Sequence, residues 1–183
     1  MTAFKWMAVA AALTIASGTV PASAKVAVDQ TSSTALAPGS TFAWGPTPAL
    51  GIGIPDPTIA NEITADRLRS LTEAALAAKG YRMAGNPTEA ELLVSYTIVM
   101  LPETGAELSS VGSSCRAFCE GAGDLKLNER RYTRGTLVLD LTERQTGRLV
   151  FRATSDKRIT PKDASQKKLT ALLKEMTKSL PER

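Results

Sequence analysis

The chain has 183 residues, of which 43% are hydrophobic and 22% charged, the ordinary range for one compact domain and too short for a multidomain machine. It contains no histidine and only two cysteines, which removes most nucleophile–base pairs and most zinc, haem and copper sites. Its net charge of +4 is mild and excludes little by itself.

The first element is a leader. Lys5 supplies a short positive start, Met7 to Ala16 is an uncharged apolar run, and Pro21-Ala22-Ser23-Ala24 ends in a small-x-small pattern. This reads as a secretory signal peptide over residues 1–24, cleaved between Ala24 and Lys25. The run is about half of the roughly 20 apolar residues that cross a bilayer, so no transmembrane helix is expected. No cysteine stands near the cleavage point to accept a lipid. Residues 25–183 then form a single domain, exported to the periplasm and peripherally associated with the outer membrane.

Within that domain Val26 to Asp29 reads as a short strand, Gln30 to Ser40 as a loop and Thr41 to Trp44 as a second strand, together a hairpin-like start. From Gly45 to Pro55 the spacing of proline and glycine speaks against regular structure. Asp56 as N-cap and Pro57 at the first helical position predict a helix running to Lys79 and stopped by Gly80. Ile59, Ile63, Leu68, Leu71, Ala75 and Ala78 make its apolar stripe. A short strand at Tyr81 to Ala84 precedes Leu92 to Leu101, a long strand apolar on both faces and therefore central. Between Pro102 and Arg131 the periodicity disappears among glycines, which predicts an inserted loop at about 102–131. Tyr132 to Leu141 and Arg148 to Ile159 follow as strands joined by a polar turn.

Thr160-Pro161 opens the last helix, with Asp163 at its third residue. Leu169, Leu172, Leu173, Met176 and Leu180 form its core stripe. The sum is an α+β two-layer sandwich: a mostly antiparallel sheet of about five strands with two amphipathic helices on one face.

The order of these landmarks resembles a bacterial envelope family, domain of unknown function 4136. Val26-Ala27-Val28-Asp29, Thr41-Phe42-Ala43-Trp44, Asp56-Pro57, Lys79-Gly80-Tyr81, the run from Ala90 to Tyr96, the run from Gly135 to Leu141 and the run from Gly147 to Arg152 carry the resemblance. It spans about Lys25 to Pro181. The resemblance implies an exported protein of a family that includes many lipoproteins, and it supplies no catalytic residues to carry over. This chain lacks the lipid-bearing cysteine of the lipoprotein members.

No catalytic, cofactor-binding or metal-ligating constellation is legible, and no cofactor is implied. Cys115 and Cys119, in Cys-Arg-Ala-Phe-Cys, read most simply as one disulfide in an oxidising compartment. In the chain-entropy model so short a loop stabilises by about 2 kcal/mol, enough to order the insertion. A redox pair needs Cys-x-x-Cys, one residue closer, and two thiolates without histidine leave a metal short of ligands. Asp140, Ser95, Tyr96 and Thr97 are polar positions within strands, and Trp44 reads as a packing residue. Few aromatics accompany the basic residues, which speaks against nucleic-acid binding.

Charge is unevenly spread. Lys25 to Gly147 carries 11 basic and 14 acidic residues, Arg148 to Arg183 carries 10 and 4. Lys157, Arg158, Lys162, Lys167, Lys168, Lys174 and Lys178 form this positive end. They read either as the solvated face of an amphipathic helix or as a contact for anionic lipid or an acidic partner, with Lys167, Lys168, Lys174 and Lys178 as the candidate surface. The expected function is a noncatalytic envelope domain that binds an envelope protein or an anionic envelope surface. The rival is a histidine-independent hydrolase of an envelope polymer, which would need converging carboxylates around Asp140.

Overall fold

The structure is a computed structural model that describes residues 25–45, 50–53, 55–110 and 125–182. Seven strands and two α-helices follow in the order β1 (Lys25–Gln30), β2 (Thr41–Trp44), β3 (Leu50–Gly53), α1 (Glu62–Ala78), β4 (Arg82–Met83), β5 (Leu92–Ser110), β6 (Leu125–Glu143), β7 (Leu149–Ile159) and α2 (Gln166–Met176). Six strands lie side by side as β1-β7-β6-β5-β2-β4, and β3 adds to β5 outside this path. The class is α+β.

The sheet is mixed, which corrects the expectation of about five mostly antiparallel strands. β1–β7, β7–β6 and β6–β5 are antiparallel, whereas β2–β4, β2–β5 and β3–β5 are parallel. The parallel part follows from α1, which carries the chain back across the sheet between β2 and β5, a connection that leaves the two strands pointing the same way. The expected hairpin between the first two strands is also absent. β1 pairs with β7 at one edge, and β2 sits between β5 and β4 near the other.

Two further elements differ from expectation. Residues Leu50–Gly53 form β3 within the stretch thought irregular. Gly53 makes this possible: its φ is +106°, and a Cβ there would stand 2.2 Å from the Met100 carbonyl oxygen. The presumed loop after Pro102 instead continues as strand, with an unbroken register from Leu92 opposite Glu143 to Ser110 opposite Leu125. Proline is tolerated at position 102 because β3 ends opposite Met100, which leaves that side of β5 without a partner among the described residues.

Alternation along the strands sorts their two faces. Leu92, Val94, Tyr96, Ile98 and Met100 of β5, Leu137, Leu139 and Leu141 of β6, and Phe151 and Ala153 of β7 are buried. They meet Leu68 and Leu76 of α1 and Leu169, Leu173 and Met176 of α2 in one core. Burying each such large side chain contributes about 1.5–3 kcal/mol.

The first helix starts later than Asp56-Pro57 suggests. Asp56 instead caps a separate turn, its carboxylate accepting from the Thr58 amide and hydroxyl at 2.9 and 2.6 Å. The α1 N-cap is Asn61, whose side-chain oxygen accepts from the Thr64 amide at 2.9 Å. The shift moves the buried stripe to Thr64, Leu68, Thr72 and Leu76, and leaves Ile63 69% exposed. Gly80, with φ +93°, closes the helix as expected. Tyr81 then turns inward and donates to the Leu36 carbonyl at 2.6 Å, and burial pushes its phenol up to about 12.

Candidate functional site

The junction between β7 and α2 is built by one carboxylate. The Asp163 Oδ2 accepts from the Thr160 backbone amide and hydroxyl, each at 2.9 Å, while its Oδ1 accepts from Lys157 Nζ at 2.6 Å. A short 3-10 turn, Pro161–Ala164, follows, and Ala164 offers its carbonyl to Arg67 Nη1 of α1 at 2.5 Å. Partial burial alone would raise the Asp163 pKa, but the bonds from Lys157 and Thr160 outweigh it and hold the carboxyl below its ordinary value. The turn that leads into α2 is thereby fixed to both β7 and α1.

A consequence is measurable. Asp163→Ala removes the cap and leaves Lys157 without its partner, and is expected to cost about 1–2 kcal/mol at neutral pH. Because the native pKa lies below the unfolded value of about 3.9, this contribution is complete above that value and disappears as pH falls through the native one. The stability difference between wild type and variant in urea titrations should therefore be constant from neutral pH down to about 5 and shrink below about 4.

Fixing α2 in this way separates its two faces. Leu169, Leu173, Met176 and, beyond the helix, Leu180 are buried, with Leu172 partly so. Lys167, Lys168 and Lys174 are exposed and make no ion pair among the described residues. Lys167 and Lys174 are seven residues apart, two helical turns, so they share one face with axial spacing of about 10 Å. They flank a shallow groove with Gln166, Thr170 and Ala171. Lys178 lies past the helix and approaches Glu175 at 3.7 Å, an exposed pair of little energetic weight.

Two of the three remaining basic residues take structural positions. Lys157 is bound to Asp163, and Lys162 is exposed in the turn before α2. Arg158 lies on the other face of the sheet, 3.8 Å over the Tyr132 ring and 3.5 Å from Glu103. The seven basic residues of the C-terminal segment are thus not one surface.

The strand polar residues also divide. Ser95, Asp140 and Arg152 are opposite one another on the open face, where Arg152 grips Asp140 with two bonds of 2.8 and 2.7 Å. Further along the same face Arg134 holds Asp156 in the same manner. Tyr96 projects to the opposite face and donates to the Ala65 carbonyl at 3.3 Å. Asp140 and Tyr96 therefore do not converge, and the carboxylate that a hydrolase would need is occupied by a guanidinium. Trp44 joins β2 to α1: its indole donates to Glu73 at 2.7 Å, its ring meets Tyr96 edge-on at 5.9 Å, and Arg69 lies 5.1 Å above it.

Among the described residues no group of three or more acidic, cysteine or histidine side chains is placed to hold a metal ion. No described helix is long and apolar enough to cross a membrane. Lys25 is the first residue of β1, while Ala24, Cys115 and Cys119 lie outside the described residues, so the signal peptide and the disulfide expected there are not part of this geometry.

The sequence from 26 to 181 matches the family model described as "Domain of unknown function (DUF4136)". The chain belongs to this family. No curated protein matches it significantly. Among solved structures, a DUF4136 family protein from Bacteroides thetaiotaomicron aligns at 12% identity over 87% of this chain and 98% of that one, with a TM-score of 0.49. A PelC dodecamer from Paraburkholderia phytofirmans aligns at 15% identity over 87% and 99%, TM-score 0.47. A putative neuraminyllactose-binding hemagglutinin homolog from Helicobacter pylori aligns at 14% identity over 78% and 86%, TM-score 0.42. At such values nothing about binding or assembly passes from those proteins to this DUF4136 chain.

One feature of the site had no sequence signal. Beneath the α1 and α2 N-terminal turns a cavity reaches down to Ser155, whose hydroxyl is buried. A serine at an inward position of β7, between Ala153 and Lys157, reads from sequence only as a tolerated polar residue.

Proposed function

We propose that this DUF4136 protein is an exported, noncatalytic domain of the cell envelope that contacts an anionic surface through the outer face of α2. The observation that carries the reading is the exposed Lys167, Lys168 and Lys174 on a helix whose opposite face is core. The leader-like residues 1–24 support secretion to the periplasm, with cleavage between Ala24 and Lys25 and a peripheral position at the outer membrane. In that oxidising compartment Cys115 and Cys119, which lie outside the described residues, form a disulfide. The bidentate capture of Asp140 by Arg152 supports binding over hydrolysis.

Near an anionic membrane each lysine contributes about 1 kcal/mol. Purified protein should sediment with phosphatidylglycerol vesicles at low salt, ignore phosphatidylcholine vesicles, and be released as rising salt shortens the screening length to about 10 Å or less. Changing Lys167, Lys168, Lys174 and Lys178 together to Gln should abolish sedimentation and leave the melting temperature nearly unchanged, because exposed substitutions of this kind alter stability by about 0.5 kcal/mol or less. Equal binding by the quadruple variant, or no binding by wild type at low salt, makes the lysine face a solvated surface only.

A further inference from the structure

The helices pack on one face of the sheet, and on the other the side chains of Arg134 and Arg152 are 51% and 45% exposed. Across that open face runs a neutral row, Ala27 of β1, Thr154 of β7, Val138 of β6 and Thr97 of β5, each directly opposite the next. A charged row lies on either side of it. On one side Asp29, Arg152 and Asp140 stand opposite one another on β1, β7 and β6. On the other Lys25 stands opposite Asp156, and Arg134 reaches diagonally from β6 to bring its guanidinium beside Asp156, Nε to Oδ1 at 2.9 Å. The signs run minus, plus, minus in the first row and plus, minus, plus in the second, so each of the three strands carries opposite charges on the two sides of the neutral row.

A second copy of this chain fits the pattern. Sheets stacked face to face keep their strands within about 30° of each other, so a symmetric pair has its two-fold axis either along the strands or across them. An axis along β7 lays Arg152 on its own copy, and one between β6 and β7 lays Asp29 on Ser95 and Lys25 on Val99, charges without partners. An axis across the strands, along the neutral row, sets Asp29 on Lys25, Arg152 on Asp156 and Asp140 on Arg134, opposite signs throughout. We infer that the protein forms a two-fold dimer through this open face about that axis. Arg152 already holds Asp140 and Arg134 already holds Asp156, so the interface buries neutral pairs rather than lone charges. Strands spaced about 4.8 Å apart and advancing about 3.3 Å per residue give a face of about 500 Å² over β1, β7, β6 and the part of β5 from Leu93 to Leu101. A standard interface takes about 800 Å² from each partner, so this dimer is weak, with a dissociation constant of about 10–100 µM. It is independent of the envelope reading, because α2 lies in the other layer and its outer lysines stay free.

The test exchanges charges within a row. Arg152→Asp with Asp140→Arg keeps an ion pair inside the subunit but sets like charges across the interface, and Arg134→Asp with Asp156→Arg does the same from the other row. In sedimentation equilibrium of purified protein, wild type should dimerise and each double variant should associate at least about tenfold more weakly. A mixture of the two double variants should restore association, because each exchanged row then faces the other. Circular dichroism shows whether each variant folds. If either does not, dilution of wild type decides: amide resonances in NMR should move at Thr97, Val138 and Thr154 and stay fixed on α2. The inference is overturned by wild type that remains monomeric at about 1 mM, well above the expected dissociation constant. It is equally overturned by folded double variants that dimerise as tightly as wild type, by a mixture that stays monomeric, or by dilution shifts that fall outside the open face.

Discussion

Replacing Leu173 by alanine is expected to lower the unfolding free energy by about 2–5 kcal/mol, measured by urea titration at neutral pH. Leu173 is 1% exposed and lies in the stripe with Leu169 and Met176, which fastens α2 to the rest of the core. Truncation removes the transfer free energy of the lost carbons and leaves a hole that the fixed helix start cannot close. The Thr160–Asp163–Lys157 bonds and the Arg67 contact with Ala164 hold that end in place. A cost below about 1 kcal/mol would mean that α2 is loosely seated, and the separation of its faces would fail.

Phe151→Ala is expected to cost more, about 3–5 kcal/mol. Phe151 is completely buried, stands opposite Leu141 on β6 and opposite Gln30 on β1, and lies beside a register shift at Leu141/Thr142. Its removal opens the core where three strands meet, so loss of amide exchange protection should be largest in β1, the edge strand whose one strand partner is β7. Four residues along the same strand face, Ser155→Ala should be neutral or slightly stabilising, because it deletes an unsatisfied hydroxyl rather than apolar volume. Opposite outcomes at two inward positions of β7 distinguish a packed core at one from a cavity at the other.

Much of this architecture was legible where periodicity and local chemistry agree. The α2 stripe reads correctly because leucines and a methionine recur at three and four residues, whereas Thr160-Pro161 with Asp163 opens a separate 3-10 turn and the helix itself begins at Gln166. The Gly80 stop, the centrality of β5 and the β6–β7 pair follow from equally local signals. What failed depends on distant partners. Asp56-Pro57 and Asn61 are both good capping sequences, and only packing decides that the helix starts at the second. Thr64 and Thr72 are buried, while Ile63 is exposed, so a stripe drawn by hydrophobicity alone is displaced.

Sheet order was harder still. Short strands joined by turns suggest hairpins, but the partner of β1 lies more than a hundred residues away in β7, and α1 makes β2 parallel to β5. The β5 and β6 arms beyond Pro102 lack apolar alternation because they pair only with each other, beyond the reach of β3 and β7. For the candidate site, sequence identified the lysines but not their division. Only coordinates show that Lys157 is consumed by Asp163, that Arg158 belongs to the other face, and that Lys167, Lys168 and Lys174 remain exposed.

The most direct measurement of the proposed role is fractionation of cells that produce the full chain, comparing wild type with the variant carrying Gln at positions 167, 168, 174 and 178. Wild type should be recovered with envelope membranes at low salt and pass to the soluble periplasmic fraction when salt is raised, while the variant is soluble throughout. Wild type that is soluble at low salt, or a variant retained on membranes as strongly as wild type, contradicts the account.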